Sequence, residues 1–263
     1  MRWRKRYPSI GKRSDGEVDV KHPVGPGSHI IVWDLDGTLG EFKSLEKVHA
    51  HPDPASPIRI SLRPGIRECL SLLAREGFVH CLLTVATPRY AQIALRVAGV
   101  TDLFARVEGR GQRGKGDAAG IALEFGLPEQ EWPHRMMFMG DHPIFDMPRD
   151  PRILFHFEPQ ALLRTASELA RLVLHLRSLG KGSLLEGFDR ILDARPWRER
   201  FGQVLGRRGN DGLWYRKVKG LGTLALDRRP QECPVIAFAE PAHPSARPEE
   251  CEVTPEALDI ASQ

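Results

Sequence analysis

Between residues 29 and 180 the chain alternates short apolar runs with amphipathic stretches, and that alternation constrains the fold more than any other feature. "HIIVWD" (29–34), "FVHCLLT" (78–84), "LFARVE" (103–108), "RMMFMG" (135–140) and "RILFHF" (152–157) read as buried strands. Helices are expected between and after them. In "RPGIRECLSLLAREGF", Pro64 suits a first turn, Ile66, Leu70 and Leu73 share one face, and Gly77 suits the end. In "TPRYAQIALRVAG", Thr87 is placed to cap, Pro88 to take the first position, and Tyr90, Ala94 and Val97 form a stripe. "GDAAGIALEFG" (116–126) and "ALLRTASELARLVLHLRSLG" (161–180) read as further helices. Such alternation implies crossover connections and an α/β fold with a parallel sheet covered on both faces.

In sheets of that kind, functional groups collect at the carboxyl ends of the strands. Asp34 and Asp36 end the first strand, Thr84 the second and Asp141 the "RMMFMG" strand, while Lys115 opens the helix before it. A buried strand ending in two carboxylates is costly unless something compensates their charge. Asp34, Asp36 and Asp141 form a hard-oxygen set suited to Mg2+, which favours octahedral oxygen ligation and keeps several waters. Asp146, in the loop "GDHPIFDMP", would hold a metal-bound water or orient Lys115. A carboxylate can also attack phosphorus, splitting phosphoryl transfer into two steps. Asp34 is placed for that role. Asp36, beyond the bend at Gly37, would protonate the leaving oxygen and then deprotonate water. Thr84, Lys115 and turn amides would supply donors to the phosphoryl oxygens. His142 reads as an exposed loop residue, since Asp36 already fills the acid–base role. His49 and His51 lack a third ligand at metal spacing.

The ordered set "DLDGT" (34–38), Thr84, Lys115 and "GDHPIFD" (140–146) resembles the haloacid dehalogenase-like (HAD) superfamily, over about residues 28 to 160. The resemblance implies a Rossmann-like fold and a Mg2+-dependent, aspartate-nucleophile phosphohydrolase. "LRPGIRECLSLLAREGF" and "LLTVATPRYAQIAL" are similar to the NLI-interacting-factor/CTD-phosphatase-like branch, whose members act on phosphoserine or phosphothreonine in proteins. Two features depart from that branch. Gly140-Asp141 stands where an Asp-Asp or Asp-Asn pair is common, and only thirty residues separate Thr84 from Lys115, without a β insertion.

The gap from Gly40 to Leu62 is long enough for a flap or hairpin but not for a cap domain, so an open site is expected. The organisation read from the sequence is a flexible basic arm (1–27), the HAD-like domain (28–180), a helical and short-strand appendage (181–240) and a flexible tail (241–263). Arg2, Arg4, Lys5, Arg6, Lys12 and Arg13 make the arm basic, and Trp214, Tyr215, Arg216, Lys217 and Lys219 mix aromatic and basic groups. These motivate a nucleotide or nucleic-acid-end phosphatase as the alternative to a phosphoprotein phosphatase; a HAD-shaped, non-catalytic binding protein is a third reading. No apolar run is long enough to span a bilayer, and no signal peptide is recognised. The four cysteines form no C-x-x-C pair, which excludes the usual zinc patterns and fits a reducing cytoplasm.

Overall fold

The computed structural model describes residues 27–45, 58–142, 146–150, 152–158, 161–163, 165–193, 203–207, 217–218, 222–223, 234–238 and 247–253. The strands are β1 (His29–Trp33), β2 (Gly40–Glu41), β3 (Ile58–Leu62), β4 (Phe78–Leu83), β5 (Phe104–Glu108), β6 (Met136–Gly140), β7 (Leu154–Phe157), β8 (Gln203–Arg207), β9 (Lys217–Val218), β10 (Gly222–Thr223), β11 (Pro234–Phe238) and β12 (Glu249–Val253). The helices are α1 (Ile66–Arg75), α2 (Pro88–Val97), α3 (Ala118–Glu124), α4 (Trp132–Arg135), α5 (Ala166–Leu179) and α6 (Leu184–Asp193).

The main sheet has the order β5-β4-β1-β6-β7-β11-β8. Every pair from β5 to β11 is parallel, and β8 closes the edge antiparallel to β11. Period-two alternation explains how the sheet buries both faces. On β1, Ile31 and Trp33 face the core built with α1, α2, α5 and α6, while Ile30 and Val32 face the core built with α3 and Trp132. All four side chains are fully buried. Burying a side chain of this kind contributes about 1.5–3 kcal/mol, so β1 anchors both layers. The one polar atom that Trp33 carries into this interior is satisfied: its indole N–H donates to His80 Nδ1 at 3.0 Å. His80 Nε2 must then carry the proton, and it donates to Leu70 O at 2.9 Å.

The expected helix ends are present with their caps. Thr87 Oγ1 accepts from Tyr90 N, with Pro88 opening α2. Helix α1 begins two residues later than Pro64, because Gly65 takes a left-handed conformation at the cap. The flap between β1 and α1 is a hairpin. Gly40 and Glu41 pair antiparallel with Leu62 and Ser61.

The small C-terminal β element expected from the sequence pairs with the rest of the fold. β11 extends the main sheet beside β7, and β12 pairs with β3 of the flap. Glu249, in the stretch read as a tail, accepts from Gly65 N through Oε1 at 2.8 Å. A buried ion pair, Arg63 Nη2 to Glu158 Oε2 at 2.7 Å, ties the base of the flap to the end of β7. Residues 1–26, His49, His51, Trp214, Tyr215, Arg216 and Lys219 lie outside the described residues. Among the described residues, Cys69, Cys81 and Cys251 are free thiols, and burial pushes the Cys69 pKa up to about 12. No helix among them is long and apolar enough to cross a membrane.

Candidate active site

The carboxyl ends of β1 and β6, with the loop before α3, bring the charged residues together. Asp34 follows β1 and is 2% exposed; its amide donates to Met139 O, which ties it to the neighbouring strand. Lys115 Nζ lies 3.1 Å from Asp34 Oδ1 and 2.6 Å from Asp146 Oδ1. Asp34, Asp141 and Asp146 each offer a carboxylate oxygen within 4.8 Å of the other two.

Two glycines make this packing possible. Gly37 has φ +84°, and a Cβ there would fall 2.1 Å from Asp141 Oδ2. A Cβ on Gly140 would fall 2.5 Å from Asp146 Oδ2. Neither distance is compatible with a side chain, so the Asp-x-Asp-Gly and Gly-Asp sequences are steric requirements for seating these carboxylates. The loop after β6 folds back on itself as well: His142 N donates to Asp146 Oδ2 at 2.8 Å. His142 itself is half-buried rather than exposed.

Three carboxylates and one ammonium leave the cluster with a formal charge of −2. Its protonation reflects that imbalance. Burial, then the charge of Asp146, drives Asp34 well above the usual carboxylate range. Burial and Asp146 likewise push Asp141 up. Burial by itself would lower Lys115, but the Asp34 and Asp146 charges outweigh it and hold the ammonium above its ordinary value. The donors are hard oxygens, their excess charge matches one divalent cation, and the glycine-lined space admits no side chain to fill it. The residues therefore fit Mg2+.

Asp36 does not join the three-carboxylate group, although the sequence placed it among the ligands. Its Oδ1 instead accepts from Phe42 N at 3.1 Å and from Tyr90 Oη at 3.2 Å. The turn at Gly37 carries its side chain toward the flap and α2. Burial raises the Asp36 pKa, and these two donors oppose the rise. Tyr90 reads in the sequence only as part of the α2 stripe; its place at the start of a helix that begins just after Thr84 is the signal that it reaches the site.

Thr84 is buried at the end of β4. Its amide donates to Glu108 O at 3.0 Å, and its Oγ1 accepts from Ala86 N at 3.2 Å. Arg113, in the loop before α3, is built into an ion-pair network. It contacts Glu108 at 2.8 Å, Glu124 at 2.6 Å and Asp117 at 3.4 Å. That network fixes the loop carrying Lys115 two residues later.

No known family's sequence profile matches this chain, and no curated protein sequence matches it. Solved structures similar to it include a HAD-superfamily hydrolase from Ehrlichia chaffeensis, at 13% identity and TM-score 0.42, covering 57% of this chain and 97% of that one. An uncharacterized protein from Listeria monocytogenes serotype 4b is similar at 17% identity and TM-score 0.41, over 57% of this chain and 99% of that one. A haloacid dehalogenase-like family hydrolase from Xanthomonas campestris is similar at 15% identity and TM-score 0.38, over 52% and 85%. Likenesses at this level assign neither a family nor an activity to the chain.

Proposed function

We propose that this chain is a Mg2+-dependent phosphomonoester hydrolase of the HAD type that works through an aspartyl-phosphate on Asp34. The observation that carries the reading is Lys115 held between Asp34 and Asp146, at one sheet edge, beside a third carboxylate within 4.8 Å. A plain ion pair needs one acid; the surplus of negative charge suits a site that receives a cation and a phosphate together.

In the first step an Asp34 carboxylate oxygen attacks phosphorus and the bond from phosphorus to the leaving oxygen breaks. Asp36 gives that oxygen its proton. Its Oδ1 is already held by Phe42 N and Tyr90 Oη, so the carboxyl enters the reaction in a fixed orientation. In the second step water attacks phosphorus, the bond to Asp34 breaks, and Asp36 takes the water's proton. Inorganic phosphate leaves and both carboxyl groups return to their starting states. Lys115 offsets the negative charge of Asp34 and of the phosphoryl oxygens, and Thr84 Oγ–H is their hydrogen-bond donor. Asp34, Asp141 and Asp146 would hold Mg2+, which would supply electrostatic stabilisation of the phosphoryl group when bound.

Phosphoserine or phosphothreonine in a protein is the substrate class we favour. Its support is the motif resemblance and a flap limited, among the described residues, to paired strands rather than a cap domain. A nucleic-acid phosphate end is the alternative, and a site without turnover would leave a binding protein. The test is a Mg2+-supplemented phosphatase assay over phosphopeptides, nucleotides, phosphate-ended oligonucleotides, sugar phosphates and an aryl phosphate, with Asp34→Asn as control. Turnover that survives Asp34→Asn would remove the covalent step, and absence of turnover on the whole panel would remove the hydrolase reading.

A further inference from the structure

Most arginines on the Lys115 side of the sheet are already committed. Arg106 and Arg113 bind Glu108 and Glu124, and Arg152 binds Asp150 and Glu129. Arg110 and Arg149 differ. Both are exposed, and among the described residues neither has a carboxylate within ion-pair distance. Both are nonetheless fixed against loops that carry site residues. Arg110 donates its amide to Ala86 O and its Nε–H to Val85 O at 3.0 Å, two and one residues past Thr84. Arg149 donates its amide to Gly116 O at 2.9 Å, and its guanidinium lies over Gly114, where a Cβ would meet Nη2 at 2.7 Å. The Arg110 guanidinium thus sits against the loop after Thr84, and the Arg149 guanidinium against the loop that carries Lys115.

Resting on the phosphohydrolase reading, we infer that Arg110 and Arg149 select substrates carrying further negative charge beside the scissile phosphate, and that the substrate is a phosphopeptide segment with acidic flanking residues. Guanidinium groups match carboxylate and phosphate geometry with paired N–H donors. Anchoring Arg110 through Nε–H removes part of the ordering cost before the ligand arrives. The anion sought is separate from the scissile group, because Lys115 is already engaged deep in the site. A peptide fits this rim better than a nucleic-acid strand. Among the described residues the exposed large apolar side chains are Val85 and Leu123, and neither offers the aromatic face on which bases stack.

Binding and turnover are read separately, so that failure of this proposal differs from failure of the hydrolase reading. Three fluorescent ligands are used with the full chain in Mg2+: a phosphoserine peptide flanked by Asp and Glu, the same peptide flanked by Ala, and a phosphate-ended oligonucleotide. Dissociation constants are measured by anisotropy on Asp34→Asn protein, and kcat/KM is measured on the wild type. The acidic peptide is expected to bind about ten-fold more tightly than the alanine peptide, a gain in line with two charge-assisted contacts. Arg110→Ala/Arg149→Ala should bring that ratio to within about two-fold, Lys at both positions should restore part of it, and Glu at both should invert it. Equal binding of the two peptides, a preference that survives the double alanine change, or tighter binding of the oligonucleotide than of either peptide would overturn the proposal. Selective binding without any turnover would uphold the rim and overturn the hydrolase reading.

Discussion

Replacing Lys115 by Met tests the central electrostatic claim, because it removes the one positive charge in the cluster while keeping much of the side-chain volume. The cluster's formal charge goes from −2 to −3. Losing one partner of a buried ion pair costs about 3–5 kcal/mol, and the lower end applies because the Lys115 side chain is 14% exposed. At about 2–4 °C per kcal/mol for a domain of this size, the metal-free variant should melt about 6–12 °C below wild type at pH 8. The sign of the pH dependence follows from the direction of the shifts. The pKa values of Asp34 and Asp141 are raised in the folded state, so the folded protein keeps protons that the unfolded chain has released. Their contribution is most favourable below the unfolded carboxylate value, about 4, and stability is lost as pH rises through the folded values. Lys115 is raised too, and its contribution is full below its unfolded value near 10.4, so it does not oppose this trend between pH 5 and 8. The deficit of the variant should therefore be smaller at pH 5, where its carboxylates take up protons, than at pH 8. Saturating Mg2+ stabilises any site that binds only when folded, by about 2.7 kcal/mol at one hundred times the dissociation constant. The Mg2+ shift should be larger in the variant than in wild type, because the cation meets more uncompensated charge. Differential scanning fluorimetry at pH 5 and 8, with chelator or Mg2+, reads all four states. Equal melting of the two proteins in chelator at pH 8, or no response of either to Mg2+, would refute a strained acidic cluster relieved by a divalent cation.

Three other perturbations separate the roles of the neighbouring residues. Asp34→Asn should abolish turnover yet raise the metal-free melting temperature at pH 8, since it deletes a buried charge and keeps the shape; a fall in melting temperature would contradict the cluster's repulsion. Gly37→Ala places a Cβ against Asp141 Oδ2 in a left-handed backbone conformation that costs about 1–2 kcal/mol, so Mg2+ affinity and melting temperature should both drop. Isothermal titration with Mg2+ would show the first, and unchanged affinity would mean that Asp141 is not a ligand. Tyr90→Phe removes a hydrogen bond to a carboxylate, a contribution of about 1.5 kcal/mol, which corresponds to roughly ten-fold in kcat with KM little changed. An unaltered kcat would show that Asp36 needs no such support.

The parts of the fold that were legible in sequence are those set by local periodicity. β1 and β4 carry continuous apolar runs because both faces are covered, and α2 carries its start signals in Thr87 and Pro88. The sequence marks short strands within 181–240 but not that β8 and β11 join the main sheet, and it marks no strand at β12. β11 pairs with β7 across more than seventy residues of chain, and nothing local to "PVIAF" encodes that partner. The same holds for β12, whose "EECEV" reads as a polar tail until it meets the flap. β12 is an edge strand of the three-stranded sheet; such strands have one free side and need less apolar character than central ones, so its sequence carries a weak signal.

The site divides along the same line. Asp34, Asp141 and Lys115 were legible because each sits at a fixed offset from a strand end or glycine, and strand ends in a parallel sheet share an edge. Where each side chain turns after leaving that edge depends on contacts distant in sequence. Asp36 is the clearest case. Its spacing from Asp34 suggested a shared cation, yet the turn at Gly37 directs it to Phe42 N and Tyr90 Oη instead. That separation has a chemical consequence. On the proposed mechanism, a carboxyl that must give and take a proton would work poorly if a cation pinned its charged form, whereas a nucleophile would gain from a nearby cation that gathers the phosphate. One glycine thus sorts two acids, two residues apart, into different electrostatic environments. Asp34 faces Lys115 and the acidic centre, and Asp36 faces a neutral pair of hydrogen-bond donors that orient it and oppose the pKa rise caused by burial.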